Sequence, residues 1–152
     1  MTANGNAVKI AIASKDENWD EPDWTQKVFH DSGRKFFSIS KALNLMTFFQ
    51  LSWEDVGNYL VSVSCNKDCA VIVVVWEHED RQDNIINILK DQDWLPKPDQ
   101  QVTWVKWHWG EVYGKSKAVW SKKIESGATL SFNRPANDLP ISVFVVEGSQ
   151  KI

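Results

Sequence analysis

Two groups of residues in this chain have types and spacings that could do chemistry. The first is aromatic. Nine tryptophans fall in 152 residues, several times the usual share. Three of them, Trp104, Trp107 and Trp109, lie in one alternating run from Val102 to Trp109. At period two, Trp107 and Trp109 share a face with Val105, and Trp104 shares the other with Lys106 and His108. If the first face is core, Trp104, Lys106 and His108 form an outer surface of mixed polar and aromatic character, with Trp120 as a further candidate. Indole rings stack on sugar faces or settle at the level of lipid headgroups, because each has an apolar body and a polar N–H. The competing account is that most of the nine rings simply fill the core.

The second group is acidic. Glu77-His78-Glu79-Asp80 sets a histidine among carboxylates, the ingredients of a metal site or a general base. Read as strand, however, Glu77 and Glu79 share a face and His78 points away, so the segment makes no compact ligand set by itself. His30 and His108 would have to join from elsewhere. Asp16, Glu17, Asp20, Glu21 and Asp23 form an acidic loop holding Trp19 and Trp24. Such a loop is either solvated or, through Trp19, Asp20 and Trp24, a protein-partner patch. Lys115, Lys117, Lys122 and Lys123 surround Trp120, as a strand edge protected by lysine or as a contact for anionic lipid. No nucleophile elbow, phosphate-binding loop, dinucleotide fingerprint or zinc-protease helix motif occurs. The expectation is a non-catalytic binding or interaction protein whose aromatic surface engages a glycan, a membrane surface or a partner protein. The alternatives are a structural or inhibitor/immunity-type protein acting through the 16–23 loop, and a hydrolase with a dispersed site on His78 or His108.

Composition narrows the partners. With 17 basic and 20 acidic residues the net charge is −3, which gives no basic field for nucleic acid. No apolar run approaches the roughly 20 residues of a membrane span, and the first residues lack the charged and apolar regions of a signal peptide. The reading is a cytoplasmic protein, or one exported without a recognisable leader. Cys65 and Cys69 flank Asn66-Lys67-Asp68. In a reducing compartment they are two thiols beside a hairpin turn; in an oxidising one they close a small disulfide loop.

The elements that must position these groups are mostly strands. Val8–Ala13 alternates, and Val28-Phe29 and Lys35–Ile39 flank the turn signal Asp31-Ser32-Gly33 as a hairpin. Ser52 followed by Asp55 resembles a capping box opening a short helical turn. Tyr59–Cys65 and Ala70–Glu77 read as paired strands, the second apolar on both faces and therefore central. Segments 41–50 and 81–93 fit helix and strand templates equally. Strands follow at 102–109, 118–124, 128–132 and 141–146. The whole is expected to be a single mainly β domain over residues 1–152, a Greek-key β-sandwich with at most a few short helices.

Residues 26–109 resemble the βγ-crystallin superfamily. Val28-Phe29-His30-Asp31-Ser32-Gly33 is similar to a first strand and turn. Trp53-Glu54-Asp55 followed by Asn58–Ser64 is similar to that family's polar loop and fourth strand. Val73–Asp80 looks like the opening strand of a second motif, and Asp91–Leu95 stands where that motif has an acidic-aromatic turn. The resemblance implies a Greek-key core and a weak calcium site at Asn58 and Ser62, with the backbone of Leu60. Tyr59 and Val63 stand where the family's calcium loop has Asn/Asp and Ser.

Overall fold

The computed structural model describes residues 2–3, 8–11, 28–29, 31–32, 34–39, 43, 47–65, 67–106 and 112–147. The 16–23 loop with Trp19, Asp20 and Trp24, as well as His30, Trp107, His108 and Trp109, lies outside the described residues.

The chain is a mainly β sandwich. Its strands are β1 (Thr2–Ala3), β2 (Val8–Ala11), β3 (Arg34–Ser38), β4 (Thr47–Gln50), β5 (Tyr59–Ser64), β6 (Cys69–Trp76), β7 (Leu95–Pro96), β8 (Thr103–Lys106), β9 (Val112–Ile124), β10 (Thr129–Arg134) and β11 (Ile141–Glu147), with helix α1 (Asn84–Asp91) between β6 and β7. The smaller sheet runs β1-β5-β10. The larger runs β2-β4-β11-β6-β9-β8-β3, with β7 on the β9 edge.

β6 is the pivot. All eight of its residues, Cys69–Trp76, are buried. Its odd-numbered valines, Val71, Val73 and Val75, join Val61, Val63, Leu130, Phe132, Ile141 and Val143 in a core between the two sheets. Its even-numbered residues, Ala70, Ile72, Val74 and Trp76, join Val28, Phe29, Phe48, Trp53, Trp104 and Phe144 in a second core on the far face. The apolar run therefore is the central strand that its composition implies. β5 alternates buried and exposed instead, as suits a strand in the outer sheet.

The expected hairpin of β5 and β6 does not form. β5 pairs with β1 and β10, and β6 pairs with β11 and β9. A strand buried on both faces needs a central position, so the chain crosses from one sheet to the other at residues 65–69. That corner is fastened by a disulfide between Cys65 and Cys69, whose Cα atoms are 6.4 Å apart; of the two states the sequence allows, this is the bridged one. The neighbouring β9–β10 turn meets the corner. Gly127 donates its N–H to the Cys65 carbonyl at 3.0 Å, and Ser126 donates to Asp68 Oδ1 at 2.9 Å. Gly127 sits at φ +80, a left-handed conformation that glycine adopts without steric cost.

Of the two ambiguous segments, 81–93 is described throughout, and 41–50 only at Leu43, which is helical, and at 47–50. Thr47–Gln50 is strand β4, and within 81–93 the helical reading prevails, with Ile85 and Leu89 buried on one face of α1. Two local expectations fail. Ser52 Oγ accepts the Asp55 N–H at 2.9 Å as in a capping box and donates to Asp31, yet no helix follows. The 28–39 hairpin is only a turn. Val28 N–H reaches Arg34 O at 2.9 Å, while Phe29 bridges Leu51 and β3 pairs with β8.

Candidate functional site

A cleft of about 440 Å³ is lined by Arg34, Trp53, Glu77, His78, Glu79, Asp80, Trp104 and Gly114. Five segments build it. Arg34 opens β3, and the β3–β8 register sets Phe36 opposite Trp104. Trp104 in turn pairs across with Gly114 of β9. Space dictates the glycine: a Cβ at position 114 would lie 2.5 Å from Trp104 Cε2 and Cζ2, well inside contact distance. The indole can therefore lie over its bare backbone neighbour.

Trp53 comes from the loop after β4, which Asp31 holds. The Asp31 carboxylate accepts the Trp53 N–H at 2.8 Å, the Glu54 N–H at 3.2 Å and the Ser52 hydroxyl. Arg81 adds a second tie, donating from Nη2 to the Trp53 carbonyl at 2.7 Å. Arg34 lies over both indoles, its guanidinium carbon 3.8 Å from the Trp53 ring centre and 4.6 Å from that of Trp104, at cation–π distance. Its Nη1 donates to Ser32 Oγ at 2.8 Å. Two buried donors, Arg34 Nε and Trp104 Nε1, have no hydrogen-bond partner among the described residues. Burial lowers the Arg34 pKa, against the opposing pull of Glu54 and Asp31.

The opposite wall is the 77–80 segment. β6 ends at Trp76, so the strand alternation expected to separate His78 from Glu77 and Glu79 does not operate, and all four residues line one cleft. His78 leans on Trp53 with ring centres 5.1 Å apart and planes at 32°. Its Nδ1 accepts the Asp80 N–H at 3.2 Å. An imidazole that accepts at Nδ1 carries its proton on Nε2 and is neutral. The electrostatics agree. Burial lowers the His78 pKa, as do Arg81 and Arg34, while Asp80 and Glu54 pull the other way.

A second cleft of about 410 Å³ shares Glu77, His78 and Glu79 and continues along Arg81, Gln82, Asp83, Lys117 and Leu139. It ends at the start of α1. Asp83 there makes no capping bond and instead meets Lys117 at 3.4 Å. The cap comes from Asp138, far along the chain, whose oxygens accept Asn84 N–H at 2.8 Å and Ile85 N–H at 2.5 Å. Burial pushes the Asp138 carboxyl up, with these two N–H bonds and Arg134 opposing. Arg134 fixes the loops beneath the clefts by donating to the carbonyls of Asp138, Asp55 and Gly57 at 3.0, 2.7 and 2.6 Å.

The ligand residues expected from sequence are only partly assembled here. Trp104 is in the cleft, but it is 6% exposed and no open platform. Trp120, 9% exposed, belongs to the other core; the two indoles face opposite sides of the larger sheet and cannot share a ligand. Lys106 ends β8. Of the lysines around Trp120, Lys117 pairs with Asp83 and Lys122 donates to the Gln92 carbonyl at the end of α1, where a cation complements the helix terminus. Asn58 precedes β5 and Ser62 lies within it, and Ser62 Oγ lies 3.0 Å from Ser131 Oγ on the outer face of the smaller sheet. Among the described residues no group of three or more His, Cys, Asp or Glu side chains is placed to hold a metal ion. Arg34 and Trp53 were not foreseen as site residues; the signals that mark them are the Asp31-Ser32 turn and the Ser52-to-Asp55 pattern, whose partners turn out to be each other. Among the described residues no helix is long and apolar enough to cross a membrane.

No protein-family model matches the chain, and no curated protein matches it. A solved structure of a beta-glucuronidase from glycoside hydrolase family 2 is similar over 96% of this chain, with a TM-score of 0.64 and 14% identity. The chain spans 14% of that enzyme's length, and at this identity the likeness is one of fold.

Proposed function

We propose that this is a non-catalytic binding protein and that it holds a glycan in the cleft between Arg34, Trp53 and Trp104 on one side and residues 77–80 on the other. One observation carries the reading: a single cleft sets the acidic acceptors Glu77, Glu79 and Asp80 beside the His78 ring, on an aromatic floor of Trp53 and Trp104. A sugar hydroxyl both donates and accepts, so it suits the carboxylates and the Nε2–H that neutral His78 carries. The floor is aromatic without being an open stacking surface, because Arg34 covers the indoles; His78, backed by Trp53, is the ring a ligand meets. The volume, about 440 Å³, is in the range of small-molecule sites.

The concave lining of mixed acidic and aromatic character favours a glycan over a lipid surface or a protein partner. Binding does not extend to catalysis. His78 spends Nδ1 on Asp80 and presents N–H at Nε2, the wrong state for a general base.

The test is a titration of the intact protein with a panel of mono- and oligosaccharides, followed by amide and indole NMR. Shifts should appear at the Trp53 and Trp104 indoles and at His78, and His78→Ala should weaken them. Absence of binding to every sugar at millimolar concentration refutes the reading.

A further inference from the structure

Resting on that reading, we infer that the cleft selects uncharged sugars and rejects uronates and other anionic glycans. The argument is a count of free charge. Glu77, Glu79 and Asp80 line the cleft, and all three are exposed. Against them stands, among the described residues of the lining, one guanidinium, Arg34, and it is already engaged. It is sandwiched over Trp53 and Trp104, bonded to Ser32, and faced by Glu54 and Asp31.

The neighbouring cations whose side chains are described are committed or turned away as well. Arg81 donates to the carbonyls of Trp53 and Asp138. Lys117 meets Asp83. Lys115 follows Gly114 in β9, and successive strand residues point to opposite faces, so it is turned from the wall that Gly114 forms. His78 is neutral while its Nδ1 accepts from Asp80. A carboxylate entering here loses its water and meets three like charges, while the unpartnered Arg34 Nε and Trp104 Nε1 are buried away from it, so the described residues offer no accessible fork of N–H groups of the kind anion sites depend on. A neutral polyol meets no such repulsion and can donate its hydroxyls to the same carboxylates. Selection would thus come from a repulsive element as much as from an attractive one.

The experiment compares matched pairs: the methyl glycosides of glucose, galactose and mannose against the corresponding uronates, by calorimetry or NMR titration at low salt. The neutral member of a bound pair should be favoured by about tenfold or more, and the preference should shrink in Glu79→Gln and Asp80→Asn and at higher ionic strength, since exposed charges are screened. Both positions are exposed and make no side-chain hydrogen bond that the fold uses, and circular dichroism checks that the variants are folded. Uronates binding as tightly as their neutral partners would overturn the selectivity while leaving the glycan reading intact. So would a preference that neither substitution alters. If no member of any pair binds, the glycan reading itself falls, and the selectivity with it.

Discussion

Asp138 offers the sharpest test of how the site is held. Replacing it with alanine removes the only side-chain cap that the described residues give α1, because Asp83, the residue at the usual capping position, makes no such bond. An N-cap is worth about 0.5–2 kcal/mol. Here two backbone donors lose their acceptor together, Asn84 N–H and Ile85 N–H, and Ile85 is fully buried, so water does not replace the lost oxygen at that position. A bare buried donor costs about 1–3 kcal/mol, and the sum for Asp138→Ala is about 2–4 kcal/mol. For a domain of this size that lowers Tm by roughly 5–15 °C. Asp138→Asn keeps one acceptor oxygen and should lose about half as much. Thermal unfolding followed by circular dichroism reads the total, and hydrogen exchange at Asn84 and Ile85 reads the location. A loss below about 2 °C in Asp138→Ala, with both amides still protected, would refute the reasoning.

Further outcomes are expected elsewhere. Gly114→Ala places a methyl inside contact distance of the Trp104 ring; overpacking of this kind costs about 1–3 kcal/mol, and displacement of the indole should shift its emission and abolish glycan binding, whereas unchanged fluorescence would count against the contact. The Tyr59 hydroxyl is buried without a partner, and burial pushes its pKa up to about 12. The folded state therefore disfavours the phenolate, and stability present below about pH 10, the ordinary tyrosine value, is lost as pH rises through 12. Tyr59→Phe should be neutral or stabilising by up to about 1 kcal/mol and should blunt that alkaline loss. His78 should titrate below the ordinary histidine value of about 6.5, so its contribution is complete above that pH and declines as pH falls through the lowered value; an NMR midpoint above 6.5 would contradict the neutral tautomer. Calcium titrated to millimolar concentration should leave Asn58 and Ser62 unshifted in NMR spectra, and micromolar binding there would restore the site that the crystallin resemblance implies.

The sequence conveyed much of the scaffold and little of the site. Val71–Val75 announces a doubly buried strand by composition alone, and β5 announces a half-buried one by alternation. Pairing was not legible, because the shortness of the 65–69 link argues for a hairpin, while the need to surround β6 on both sides overrules it. Residues 84–91 satisfy two templates until packing against the sheet chooses one. At Trp104, alternation separates neighbours onto two faces but does not say that both faces of this sheet are covered, so the surface expected there was core. The 77–80 segment stood out by its residue types, yet its geometry depended on where β6 stops. Arg34 and Trp53 reach the same cleft through Asp31, an anchor some twenty residues from the loop it holds, and no local pattern encodes that distance.

β6 also bears on how the chain finds its alignment. Where a strand has one oily and one wet side, sliding by a single residue turns the oily side to water, and the error is corrected by its cost. Cys69–Trp76 has no wet side, so a slip of one position exchanges one oily surface for another. What tells the right alignment from its neighbours is shape, the Cys65–Cys69 disulfide at one end and a polar hook at the other: small Ala70 at the start, bulky Trp76 at the close, the irregularity in the β9 ladder between Val75 and Trp76, and the Trp76 Nε1–H bond to Ser142 Oγ at 2.9 Å. The middle of the strand is nearly degenerate under translation, and its terminal indole acts as the index mark. Errors of folding in this protein should accordingly be misalignments of β6 between β9 and β11, with every strand in its proper place and one of them a notch out of step.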